Sequence, residues 1–140
     1  MPSDEVTELR LVVTATDFDA ALHLYRDTLG LPEVAVFPSP GRVVLLDAGR
    51  ATIELADPAH TAHVDDVEVG HRVAGHLRVA FRVGDVDAAT KRLQDGGAEL
   101  LAPPTRTPWG SWNSRLDAPD GLQLTLFGSP PDTPADPDQA

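Results

Sequence analysis

The sequence predicts an α+β fold in which two tandem β-α-β-β-β modules form a curled mixed sheet around a central cleft. Two observations carry that expectation. The phrase LRLVVTATDFDAA at Leu9–Ala21 returns 68 residues on as LRVAFRVGDVDAA at Leu77–Ala89, with six of thirteen positions identical. Around each copy the apolar period changes from two to that of a helix and back to two, in the same order.

The first module spans about residues 7–56. Leu9, Leu11, Val13 and Ala15 alternate with Arg10, Val12 and Thr14, which reads as a strand. Asp17 caps a helix from Phe18 to Leu29, whose Ala21, Leu22, Leu24, Tyr25 and Leu29 recur at helical spacing before Gly30 closes it. Strands follow at about Glu33–Phe37, Arg42–Asp47 and Ala51–Leu55, separated by SPG and AGR turns. Residues 57–75 read as a polar linker without periodicity.

The second module, about 76–128, repeats the order. A strand at Leu77–Val83 leads to a helix at Val86–Gln94 stopped by Gly96 and Gly97, then to strands near Glu99–Ala102, Ser111–Leu116 and Leu122–Phe127. Residues 1–128 thus form a single domain, and the proline- and aspartate-rich 129–140 are expected to be a disordered tail. If each helix covers one face of its own sheet, the other faces curl together around the cleft. By alternation, Arg10 and Arg78 point into it.

The bulk properties narrow the function. The 140 residues are 41% hydrophobic and 24% charged, the balance of a soluble globular domain. There is no cysteine, which excludes disulfides, iron–sulfur clusters and thiolate zinc sites. A net charge of −11 argues against nucleic acid, whose affinity comes from lysine and arginine neutralising phosphates. The acidic start MPSDEV and the lack of a long apolar run suggest neither a signal peptide nor a membrane span, so a cytoplasmic protein is expected.

The phrases TDFDAALHLYRDTLGL, ATIEL, FRVGDVDAA, and PWG followed by APDGLQL resemble the vicinal oxygen chelate superfamily, which includes glyoxalase I, extradiol dioxygenases, fosfomycin-modifying enzymes and bleomycin-binding proteins. The resemblance covers roughly Thr7 to Phe127. It implies paired β-α-β-β-β modules, usually assembled as dimers, so a homodimer is expected. In metal-dependent members the first and last strands of each module carry histidine or glutamate ligands. Residue by residue, those positions fall on Arg10, Glu54, Arg78 and Thr125.

Only Glu54 of these four is a credible ligand. Arginine has no acceptor lone pair and stays protonated. At about 4 Å and an effective dielectric of about 20, one arginine repels a divalent ion by roughly 8 kcal/mol before screening. A site slipped by two residues would use Glu8, His76, Thr52 and Gln123, a poor donor set. The stretch HTAHVDDVEVGH holds His60, His63, Asp65, Asp66 and His71 but no His-x-x-x-His pair, and reads as a solvated loop. His23 falls on the solvent edge of the first helix. No metal or cofactor is expected.

The arginines can pair instead. An Arg10–Glu54–Arg78 network could replace the metal and hold the modules together, or leave one guanidinium to grip an anionic or carbonyl-bearing ligand. Arg82 and Arg115 add charge. Trp109 reads as a lip residue, while Trp112 either stacks on a planar ligand or plugs the core.

The expected ligand-binding set is therefore Arg10, Glu54, His76, Arg78, Trp109, Trp112, Arg115 and Thr125, holding a small molecule. The first reading is a metal-independent binding protein of the glyoxalase/bleomycin-resistance type, sequestering a drug or natural product. The alternative is an enzyme: metal-free, with Glu54, His76 or Glu8 as acid or base, or a metal-dependent lyase or dioxygenase.

Overall fold

The computed structural model describes residues 4–118 and 121–132. Its elements run β1 (Val6–Thr14), α1 (Phe18–Leu22), β2 (Glu33–Val36), β3 (Val43–Asp47), β4 (Thr52–Ala56), α2 (Pro58–Glu68), β5 (Leu77–Val83), α3 (Val86–Asp95), β6 (Glu99–Arg106), β7 (Trp112–Asp117) and β8 (Gln123–Gly128). The eight strands form one sheet in the order β2-β3-β4-β1-β5-β8-β7-β6. The modules meet at its centre, where β1 and β5 pair antiparallel, and each first strand pairs parallel with its own module's last strand.

Alternation sorts the side chains as the sequence predicts. One face buries Val13, Phe18, Leu22, Leu46 and Leu55 under α1, and Val83, Val86, Ala89, Leu116 and Leu126 under α3. The opposite, inner face carries a small apolar patch of Val12, Ala80 and Phe127 among charged residues. Asp17 and Asp85 cap their helices by accepting from the N–H three residues on, so the two copies of the repeat begin their helices alike.

The first helix departs from expectation beyond Leu22. His23–Thr28 is a π-helix, in which the Leu29 N–H reaches back to the Leu24 carbonyl. Its wider turns carry the chain off the regular helical stripe. Leu24 and Leu29, which helical spacing assigns to the core, are 55% and 65% exposed.

β6 also runs further than expected, through Pro103 and Pro104, a pairing tolerated because β6 is an edge strand with register shifts. Of the expected tail, residues 129–132 are described, with Pro130 buried and Asp132 paired to Arg106 at 2.8 Å; residues 133–140 lie outside the described residues. No helix among the described residues is long and apolar enough to cross a membrane.

Candidate functional site

The register across the inner face places the charges. Val12 lies between Glu54 on β4 and Arg78 on β5, and Arg10 lies between Thr52 and Ala80. Ala80 stands beside Thr125, and Thr125 beside Arg115. Val12 and Ala80 are equivalent in the repeat, so Glu54 and Thr125 are equivalent too, as are Arg10 and Arg78. The four positions that the family resemblance implies share one face around the module junction.

Glu54 is the shared partner of the two arginines. Arg10 Nη1 lies 3.6 Å from its Oε1 and Arg78 Nη2 lies 3.9 Å from its Oε2. Both are ion pairs too long for hydrogen bonds. Arg10 donates instead through Nε to Glu8 at 2.6 Å, and Arg82 Nε donates to the other oxygen of Glu8 at 3.0 Å. Burial would raise the Glu8 carboxyl, but Arg10 and Arg82 outweigh it and hold it below the usual range. Both guanidiniums lie 4.7 Å from the centre of the Phe127 ring.

Arg78 is 6% exposed. It donates to Thr125 Oγ1 at 2.7 Å, and its ion pair with Glu54 is loose. Burial and the neighbouring Arg115 push its proton affinity down, opposed by Glu68, Glu54 and Asp65. A guanidinium has five donors, and a buried one is costly unless its partners are close. Among the described residues the ion pairs of Arg10, Arg78 and Arg82 run to Glu8 and Glu54, while Glu68 and Asp65, both paired to Arg115, act on Arg78 from further away.

The residues expected to form a solvated loop instead form α2 and fill part of the cleft. Asp57 caps the helix by accepting from the His60 N–H at 2.9 Å, and Pro58 opens it. Its buried residues are His60, Thr61, Val64, Asp65 and Glu68. Thr61 bonds Thr14 on β1 at 2.9 Å. Asp65 and Glu68 accept from Arg115 Nη1 and Nη2 at 2.8 and 2.9 Å, and Glu68 also accepts from Asn113 at 2.8 Å. The second Asp65 oxygen takes the Val73 and Ala74 N–H groups and Arg72.

Arg115 therefore does not stand ready for a ligand as expected. It is fully buried, and its terminal nitrogens are engaged by Asp65, Glu68 and Gln123, with only Nε lacking a partner. Trp112 takes the second of its two expected places, against the core, and is the second residue to leave the expected ligand-binding set. It points to the α3 face, packs against the core there and donates to Asp87 at 3.0 Å, because odd and even positions of β7 face opposite sides. His76 is a third: it is exposed just before β5, and its carbonyl, not its ring, is used, by the Thr14 N–H. Trp109 is 49% exposed and sits 6.2 Å from the His63 ring, which is 6.5 Å from that of His60. These rings run from the buried start of α2 to a rim.

Sequence reasoning weighed His60 and Asp65 only as donors of a loop and did not single out Glu68. The available signal was the Asp57–Pro58 start. The residues at the four strand positions do not suit a metal ion: two are cations, Thr125 accepts from one of them, and Glu54 faces both. Among the described residues no group of three or more His, Asp or Glu side chains could hold one.

Paired modules meeting at two antiparallel first strands, with polar side chains on the curled inner face, define a glyoxalase-type fold. The chain belongs to the Glyoxalase/Bleomycin resistance protein/Dioxygenase superfamily, whose family model matches residues 9–126. It is 30% identical over 98 residues to an uncharacterized protein of Mycolicibacterium smegmatis, covering 69% of this chain and 73% of that one. Among solved structures it is similar to methylmalonyl-CoA epimerase from Mycobacterium tuberculosis, with 25% identity, coverage of 92% and 90% of the two chains and a TM-score of 0.59. A hypothetical protein from Bacillus halodurans C-125 shares the fold at a TM-score of 0.63 with 13% identity over 94% of this chain and 98% of that one.

Proposed function

We propose that the protein is a metal-independent small-molecule-binding member of its superfamily that anchors an anionic ligand on Arg78. The observation that carries this reading is the mismatch at Arg78: a buried guanidinium with one hydrogen bond, to Thr125, and an ion pair of 3.9 Å. A carboxylate or similar oxyanion entering beside it would accept the charge-assisted bonds that Glu54 is too far away to take. Arg10 and Arg82 stacked on Phe127 offer the ligand a mixed cationic and apolar wall, and Trp109 forms the rim.

The reading is tested by titrating a panel of small carboxylates and phosphates while following tryptophan fluorescence. Binding by the wild type that Arg78→Met abolishes is the expected result. Retention of affinity in Arg78→Met would reject this anchor. Elemental analysis of the purified protein is expected to find no divalent metal at one per chain, and stoichiometric zinc, nickel, manganese or iron would reject metal independence.

A homodimer is part of the same reading. Val34, Val36 and Phe37 are exposed in and just after edge strand β2, whereas the other edge is obstructed by Pro103 and Pro104 in β6. Light scattering at micromolar concentration is expected to give twice the chain mass, and a monodisperse monomer would reject it.

A further inference from the structure

Two carboxylates on the inner face are partnered unequally. Glu8 accepts from Arg10 at 2.6 Å, from Arg82 at 3.0 Å and from Thr52 at 3.1 Å. Glu54 accepts no hydrogen bond among the described residues, since its ion pairs with Arg10 and Arg78 are 3.6 and 3.9 Å long. Its oxygens are not sealed off either. Arg115 Nε is the one buried side-chain atom without a partner among the described residues, so the Glu54 oxygens and the Arg78 nitrogens other than Nη1 reach solvent.

The register explains why these two groups meet. Val12 on β1 has Glu54 beside it on β4 and Arg78 beside it on β5, and the two side chains converge at the border of the apolar patch formed by Val12, Ala80 and Phe127. An acceptor short of donors therefore stands next to a donor short of acceptors. A simple carboxylate satisfies only Arg78. Satisfying both takes a ligand that accepts at its carboxylate and donates from a group on the adjoining carbon, each bond about 2.8 Å long.

The surrounding charge narrows that donor. A free ammonium is drawn to Glu54 but meets the guanidiniums of Arg10 and Arg78 beside it, which repel it. A hydroxyl is neutral, yet its lone pairs can accept from those guanidiniums and turn its proton elsewhere. An amide N–H is neutral and only donates, because the nitrogen lone pair is delocalised into the carbonyl.

We propose that the cleft takes N-acyl amino acids, holding the carboxylate on Arg78 and the amide N–H on Glu54. The acyl group then lies toward the Val12, Ala80 and Phe127 patch. This inference rests on the anion-binding reading above and adds a second contact, whose loss can be measured separately from that of the anchor.

The experiment compares N-acetylglycine with N-acetylsarcosine by isothermal titration calorimetry, because the two differ only in a methyl group that replaces the amide proton. Wild-type protein is expected to bind N-acetylglycine at least about 10-fold more tightly, the scale of one hydrogen bond to a charged group. Glu54→Leu should erase that ratio. A ratio that persists in Glu54→Leu reports the bulk of the methyl group and overturns the contact. Equal affinities in the wild type overturn it without any variant, so the proposal is decided even if Glu54→Leu fails to fold, and the Arg78 anchor stands. Tighter binding of glycine or glycolate than of N-acetylglycine overturns the neutral amide donor. Failure of both N-acetyl acids to bind, while other carboxylates bind through Arg78, overturns the ligand class; failure of every carboxylate overturns the anchor as well.

Discussion

Arg115 and Arg78 are both buried guanidiniums on the inner face, in adjoining strand pairs, yet their surroundings differ in kind. Arg115 meets two carboxylates and an amide at 2.8–2.9 Å, and one of those carboxylates is itself tied to two backbone N–H groups. Arg78 meets one hydroxyl and a carboxylate at 3.9 Å. The first cluster is closed by a helix the chain supplies; the second is left short of an acceptor. Charge in a cleft is thus a brace where the chain provides the counter-charge, and where it does not, as at Arg78, it is the anchor proposed above for a ligand.

The largest effect that would break this contrast is on the brace. Arg115→Met is expected to cost about 3–5 kcal/mol in chemical denaturation, because it strands Asp65 and Glu68 in the interior. Glu68→Gln removes one charge but keeps an acceptor, and is expected to cost about 1–3 kcal/mol. Arg78→Met should change stability by about 1 kcal/mol or less while abolishing anion binding, since an apolar side chain replaces a poorly paired cation and Arg10 still faces Glu54. Equal losses in Arg115→Met and Arg78→Met would erase the distinction.

Acid sharpens it. Burial would raise the Asp65 carboxyl, but the Ala74 N–H, Arg115 and the Val73 N–H outweigh it and hold it below the usual range. The unfolded chain therefore takes up this proton first as pH falls. The contribution is complete above the ordinary carboxylate pKa of about 4 and drains away as pH drops through the folded value. His60 acts in the same direction at higher pH: its folded value lies below the ordinary imidazole, so stability should begin to fall as pH passes below about 6.5. Melting temperatures between pH 8 and pH 3 should fall in two stages, where pH 8 to pH 3 brackets about one unit beyond each ordinary value, and His60→Gln should remove the first stage.

The sheet was legible because its signals are apolar. The alternation in Leu9–Ala15 and Leu77–Val83 put Arg10 and Arg78 on one face, and the family resemblance set Glu54 and Thr125 at matching places on the last strands, where they pair with the equivalent Val12 and Ala80. α2 was not, since its buried face is His60, Thr61, Val64, Asp65 and Glu68, which has helical spacing but little hydrophobicity. A pattern of apolar residues cannot report a helix buried through ionic contacts. The same blind spot hid the fate of Arg115, whose partners lie 47 and 50 residues away. Trp112 was ambiguous because tryptophan serves core and ligand alike; its place in β7 settled which side it faces.

The join between the two repeats makes duplication here more than the sum of its copies. A second copy of the module brings strands and a helix, but α2 belongs to neither copy and wedges between them, touching Thr14 in one and Asn113 and Arg115 in the other. A tether between repeats is ordinarily free to vary in length and composition. This one is a component: Asp65 and Glu68 on its inner side both pair with Arg115 of the second repeat, so a change on one side of the join has to be answered on the other.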